Sequence, residues 1–143
     1  MTESTPTPEA QPALIRHILP VVAGGAITVL LTVVTDNWLA VRGLLPTQAA
    51  AHSVGTLLFV LAYRGAIAIA GSHMAARLAP AGQPRIRYAL ALGGLLLVVN
   101  VINAMGLAGT FPTWFLLASV ALQVPFAIIG GGTAVQAMAR TGR

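Results

Sequence analysis

Five polar side chains lie in segments that are otherwise strongly apolar, and they are the residues with the greatest capacity for chemistry in this sequence. They are Asp36, Arg64, Asn100, Asn103 and Gln123. Arg64 is the most informative, because an arginine at the centre of an apolar membrane helix costs roughly 2.5 to 3.5 kcal/mol on insertion scales. We therefore expect its side chain to face protein or water and not lipid.

Helical spacing predicts that several of these side chains share one layer. Arg64 lies 13 residues before Arg77, and Asn100 lies 13 residues after Arg87. At about 1.5 Å of rise per residue, both lie about 20 Å from the arginine-bearing end of their helix. Asn103 follows one turn further along the same face as Asn100.

The remaining polar groups approach this layer from other segments. Gln123 is expected at a comparable depth, while Thr32 and Asp36 approach from the first apolar segment. One interpretation is a polar site in which Arg64 holds an anion or a carboxylate-bearing ligand and the amides shape the pocket. The alternative is a structural clamp, in which Arg64 contacts Asp36, or Asn100 and free backbone carbonyls. A proton or cation relay has too few acidic members.

Other chemistry is not supported by the sequence. Cysteine is absent, which excludes thiol catalysis and thiolate metal sites. His17 and His73 are expected near one face and His52 near the other, so no metal site is predicted. None of the serines has a histidine and an acid at a common depth. We therefore predict no catalytic residue, no cofactor and no enzymatic activity.

Composition predicts where these residues are embedded. The chain has 143 residues, of which 57% are hydrophobic and 8% charged, against roughly 25% charged residues in soluble domains. We predict an all-α membrane four-helix bundle over residues 13–140, preceded by a disordered tail over residues 1–12. The helices are expected at about 14–38, 48–78, 86–107 and 113–138, with Thr47 as N-cap of the second.

The arginines predict orientation. Six of them fall on one side of the predicted bundle, namely Arg16, Arg77, Arg85, Arg87, Arg140 and Arg143. Only Arg42 falls on the other. Because basic residues are enriched in cytoplasmic loops, both termini are predicted to be cytoplasmic. The positive charges form no continuous run, which argues against nucleic acid as a partner.

Small residues and proline predict packing. Gly71, Ala75 and Ala79 fall on one stripe of the second helix, so this helix is expected to approach its neighbours closely. In the fourth helix, Pro125 removes a backbone hydrogen bond and predicts a kink. The glycine triplet at residues 130–132 is typical of close packing, with a gate as the alternative.

A family resemblance rests on the second half of the chain. The residues that match are Tyr63-Arg64, Gly71 and the segment from Ala75 to Pro80, together with the turn at residues 111–114 and the segment 125–131. In these, the chain resembles a family of small, uncharacterised bacterial four-helix membrane proteins. The resemblance implies a bacterial inner membrane and no known reaction. Ser72-His73 departs from the expected pattern.

Two functions remain open. The first is a non-enzymatic subunit or assembly partner of another membrane protein or of a second copy of this chain. The alternative is a small oligomeric transporter or channel with a polar site around Arg64.

Overall fold

The computed structural model describes residues 13–45 and 53–141. These residues form five helices, in order α1 Ala13–Val41, α2 Val54–Arg77, α3 Arg85–Gly106, α4 Thr113–Ala121 and α5 Gln123–Thr141. Helices α4 and α5 together form one span, from Thr113 to Thr141. The described residues therefore contain four helical spans long and apolar enough to cross a membrane, which confirms the predicted all-helical fold and its four long apolar helices. The predicted tail, residues 1–12, lies outside the described residues.

Helix α2 begins later than predicted. Its N-cap is Ser53, whose hydroxyl accepts a hydrogen bond from the backbone N–H of Thr56 at 3.1 Å. This contact satisfies one of the backbone donors that a helix start leaves free. The predicted N-cap, Thr47, lies outside the described residues.

The outer surface of the bundle is apolar. Large hydrophobic side chains are exposed along every span, for example Leu30 on α1, Phe59 on α2 and Ile102 on α3. No more than 33% of the most apolar window of any span is buried within the protein. Since a soluble protein rarely exposes such continuous apolar surface, these faces contact lipid, and the chain is a small multi-pass membrane protein.

Contacts between helices show that successive spans run antiparallel. His17, near the start of α1, contacts Tyr88, near the start of α3. Asp36, near the end of α1, contacts Arg64 in the body of α2. One end of the bundle therefore gathers Arg16, Arg77, Arg85, Arg87 and Arg140. We call it the arginine-rich end, and the other the Asp36 end.

The core is built from close helix crossings at small residues. A Cβ atom added to Gly71 would lie 2.9 Å from the carbonyl oxygen of Gly24, and one added to Gly130 would lie 2.4 Å from that of Ile69. Helices can approach to this distance only where a side chain is missing. Helix α2 contacts all four other helices, as its small-residue stripe predicts, and Gly130 serves close packing.

The fourth span is interrupted where proline predicts a kink. Helix α4 ends at Ala121 and α5 begins at Gln123, with Leu122 between them. Pro125 has no N–H to donate to the carbonyl of Ala121, and its ring crowds that carbonyl.

Candidate functional site

An ion pair joins α1 to α2 near the Asp36 end. Arg64 Nη2 donates to Asp36 Oδ2 at 2.5 Å. The hydroxyl of Tyr63 donates to the other carboxylate oxygen, Oδ1. Both oxygens of Asp36 are therefore occupied, and two neighbouring side chains of α2 hold one residue of α1. This is the contact that the clamp interpretation requires.

Arg64 retains donors beyond this pair. A guanidinium has five N–H groups, and the hydrogen bond to Asp36 uses one of them. The Arg64 side chain remains 47% exposed. It can therefore keep its structural partner and still contact a second group.

Two neighbouring clefts, each of about 240 Å³, meet at Arg64. Four residues line both of them: Arg64, Asn100, Asn103 and Gln123. They come from α2, α3 and α5. The structure thus brings together four of the five polar residues selected from the sequence, and Asp36 adjoins the clefts through its contact with Arg64.

Each cleft adds hydroxyl groups of its own. Ser119 lines the first cleft, together with aromatic and aliphatic residues of α3 and α4. Thr28 and Thr32 of α1 line the second. Thr28 donates to the backbone carbonyl of Gly24 at 2.9 Å, so its hydroxyl proton is already used. Hydroxyl and amide groups therefore line both clefts beside Arg64, together with apolar side chains.

The amide groups offer mainly oxygen atoms to these clefts. Asn100 Nδ2 donates to the carbonyl of Leu96 at 2.8 Å, and Gln123 Nε2 donates to that of Ser119 at 3.3 Å. Reversing either amide would place its oxygen against a carbonyl oxygen, which is unfavourable. Gln123 Oε1 is buried and has no hydrogen-bond partner among the described residues. A buried acceptor of this kind favours a hydrogen-bond donor beside it.

The ion pair determines the electrostatics of the site. Arg64 and Asp36 carry opposite charges and lie in contact. The other lining polar residues are amides and alcohols, which are neutral. The formal charge of the site is therefore zero, although Arg64 still offers a positive local potential to one side of the clefts.

The histidines lie apart from the clefts. His17 contacts Tyr88, and His73 contacts Thr133 at 3.0 Å. Within residues 13–45 and 53–141, no group of three histidine, cysteine or acidic side chains could hold a metal ion. His52, which was expected near the opposite face, lies outside the described residues. Ser72 is buried against Gly130 and lines neither cleft.

Tyr63 is the site residue that sequence reasoning missed. It was considered only as part of the family pattern, although its position beside Arg64 was a usable signal. Neighbouring residues on a helix differ by about 100° in direction. Two long side chains can therefore reach one carboxylate from either side, which the linear sequence does not show.

Comparisons with known proteins identified no relative of this chain. No family model matches the sequence, and no curated protein or solved structure matches it significantly. The resemblance to small bacterial membrane proteins therefore stays a prediction from the residues.

Proposed function

We propose that this multi-pass membrane protein binds a small, net-neutral polar solute in the clefts around Arg64, and that it acts as a transporter or channel for that solute. The observation that carries the proposal is the shared lining of both clefts by Arg64, Asn100, Asn103 and Gln123. These residues come from three spans, so their convergence is a property of the bundle and not of one helix.

Desolvation cost supports a functional cleft. Polar groups in hydrocarbon are costly unless they are hydrogen-bonded, so they are retained where they contact protein, water or a ligand. The clamp accounts for Arg64, Asp36 and Tyr63. It leaves Gln123 Oε1 without a hydrogen-bond partner among the described residues and does not involve Asn103. A bound solute would satisfy both.

The size and charge of the site define the class of solute. Pockets for drug-sized ligands measure roughly 300 to 1,000 Å³, whereas each cleft here measures about 240 Å³. Because Asp36 neutralises Arg64, a full negative charge gains less than it would beside a free arginine. A small zwitterion or neutral molecule fits best, with an acceptor towards Arg64 and an N–H or O–H donor towards Gln123.

A second candidate is a non-enzymatic subunit that assembles with another membrane protein or with itself. Its supporting observation is Asn103, an exposed amide in a membrane span. Polar side chains of this kind form hydrogen bonds between helices of different chains. Under this hypothesis the clefts would be covered by a partner helix.

Native mass spectrometry of the protein in lipid nanodiscs separates the two functions. We would compare the wild type with Arg64→Gln and Asn103→Leu. Arg42→Gln is the matched control, because Arg42 lies at the same end and stacks on Trp38 at 5.0 Å, away from the clefts. Asn103→Leu leaves the ion pair intact, so it tests the cleft without removing the clamp.

The two functions predict different spectra. A small molecule retained by the wild type and by Arg42→Gln, and lost from both cleft variants, would support solute binding. A co-purified protein chain lost with Asn103→Leu would establish the subunit function instead. Identical spectra for all four proteins, with no retained molecule, would refute solute binding.

We further propose that the protein resides in a bacterial inner membrane with both termini in the cytoplasm. The support is the arginine-rich end, which carries the starts of α1 and α3 and the ends of α2 and α5. Because the chain has no cysteine, single cysteines can be introduced at Gly82 and at Gly109 in the connecting segments. Labelling of intact cells by an impermeant maleimide should modify the Gly109 variant and spare the Gly82 variant, and the reverse would invert the topology.

A further inference from the structure

A groove between α1 and α3 at the arginine-rich end lies outside the proposed solute site. Its volume is about 300 Å³, and it is lined by His17, Val21, Gln83, Arg87, Tyr88 and Ala91. None of these residues lines the clefts around Arg64. The groove therefore calls for an explanation of its own.

A hydrogen bond between the two helices holds the polar wall of the groove. The hydroxyl of Tyr88 and Nδ1 of His17 lie 2.5 Å apart, and the two rings are nearly parallel at 14° with centroids 6.2 Å apart. Tyr88 is buried, whereas His17 is exposed. When Tyr88 donates to Nδ1, the other nitrogen, Nε2, carries a proton and can donate to a ligand.

The charge around the groove is strongly positive. The arginine-rich end carries five arginines and, among the described residues, no acidic side chain. The Asp36 end carries Arg42, Arg64 and Asp36, a net charge of +1. Among residues 13–45 and 53–141 the salt bridge is that of Arg64, and no carboxylate of these residues holds Arg87. Guanidinium groups bind phosphate through paired N–H donors.

The groove changes from polar to apolar with depth. Val21 lies four residues beyond His17 on α1, and Ala91 lies four residues beyond Arg87 on α3. Each step is one helical turn, about 6 Å further towards the bilayer centre. A soluble anion would use only the polar part. A molecule with a charged head and an apolar tail would use both.

The depth of the groove matches that of lipid headgroups. His17 and Asp36 lie 19 residues apart on one helix, which corresponds to about 28 Å. This nearly equals the hydrocarbon thickness of about 30 Å. With Asp36 near one boundary of the hydrocarbon layer, this separation would place His17 and the adjacent Arg87 near the other boundary.

From this geometry we propose that the groove between α1 and α3 binds an anionic phospholipid. Its phosphate contacts Arg87 and His17, Gln83 contributes a polar edge, and an acyl chain lies against Val21 and Ala91. Basic recesses between membrane helices are known recognition sites for anionic headgroups. The site is independent of the proposed solute clefts, and either could exist without the other.

The test is lipid retention measured by native mass spectrometry. The full chain would be reconstituted in vesicles of phosphatidylcholine with phosphatidylglycerol, extracted mildly, and its bound lipids counted. The key variant is Arg87→Gln, and Gln83→Ala is a second groove variant in an exposed connecting segment. Arg140→Gln is the matched control, since it removes the same charge at the same end but outside the groove.

The expected result is selective retention of phosphatidylglycerol by the wild type and by Arg140→Gln. Loss of Arg87 should weaken that retention about five-fold beyond any effect of Arg140→Gln, because direct contact between the guanidinium and the phosphate adds about 1 kcal/mol to the general attraction of the basic surface. Equal effects of Arg87→Gln and Arg140→Gln would mean that general surface charge attracts the lipid, and this result would overturn the site. Equal retention of both lipids would also overturn it. Displacement of the lipid by millimolar inorganic phosphate would assign the groove to free anions instead.

Discussion

Replacing Asp36 with asparagine removes the carboxylate that pairs with Arg64 and leaves the guanidinium inside the membrane. Asp36 accepts two hydrogen bonds, one from Arg64 and one from Tyr63. Hydrogen bonds within membrane proteins contribute about 0.6 kcal/mol on average and about 1.7 kcal/mol at most. We therefore expect Asp36→Asn to lower the free energy of unfolding by about 1 to 3 kcal/mol.

The depth of Arg64 limits this loss. It lies about 20 Å from the arginine-rich end of a layer about 30 Å thick, so about 10 Å separates it from the opposite boundary. An unpaired Arg64 can extend towards that boundary and recover part of its hydration. The full insertion cost of roughly 2.5 to 3.5 kcal/mol for a central arginine is therefore an upper limit.

A double-mutant cycle isolates the pair. Arg64→Gln, Asp36→Asn and the combined variant would be unfolded in mixed detergent micelles and followed by circular dichroism. Removing both charges should cost less than the sum of the two single changes, by about 1 kcal/mol. Strictly additive effects, within about 0.5 kcal/mol, would refute an energetic contact between these residues. Tyr63→Phe serves as a control that removes the other hydrogen bond to Asp36.

The combined variant also separates stability from binding. If its stability returns towards that of the wild type while solute retention stays lost, Arg64 acts as a binding residue as well as a clamp. Retained solute in the combined variant would show that Arg64 serves structure alone.

Three further outcomes follow from the packing. Gly71→Ala would place Cβ 1.9 Å from Thr28 Oγ1, so unfolding in mixed micelles should show a loss of about 1 to 3 kcal/mol. Gly94→Ala, with nothing within 4 Å of its added Cβ, should leave stability unchanged or raise it by up to about 1 kcal/mol, because alanine has the higher helix propensity. Pro125→Ala should restore the missing hydrogen bond and straighten the fourth span. The distance between spin labels at the two ends of this span should then increase towards about 42 Å. An unchanged distance would contradict the proposed cause of the break. The same variant should weaken solute retention in nanodiscs, because Gln123 sits at that break.

Local composition was enough to predict the class of fold. The four apolar spans follow from hydropathy and from the glycine and proline residues between them, since each span must be long enough to cross a bilayer by itself. The interruption near Pro125 was also predictable, because the missing N–H belongs to that residue. The start of α2 was not, since the hydroxyl of Ser53 and the expected cap at Thr47 are similar capping groups in the sequence.

Depth along a helix could likewise be read from residue numbers. Equal spacing from the arginines placed Arg64 and Asn100 in one layer, and in the structure both line the same clefts. The rotation of each helix about its axis could not be read in this way. Whether Arg64 contacts Asp36, an amide or a free carbonyl therefore stayed open until the helices were placed together.

The sequence by itself determined that this chain forms apolar helical spans, which end of each span is basic, and at what depth its polar residues lie. Only the tertiary structure decided that Asp36 is the partner of Arg64, that Tyr63 joins them, and that Gln123 Oε1 has no hydrogen-bond partner in the part of the chain that the structure describes. The physical reason is that hydropathy and rise are properties of one helix. Partner choice depends instead on how two helices cross, and here the contact of Gly24 with Gly71 brings α1 against α2.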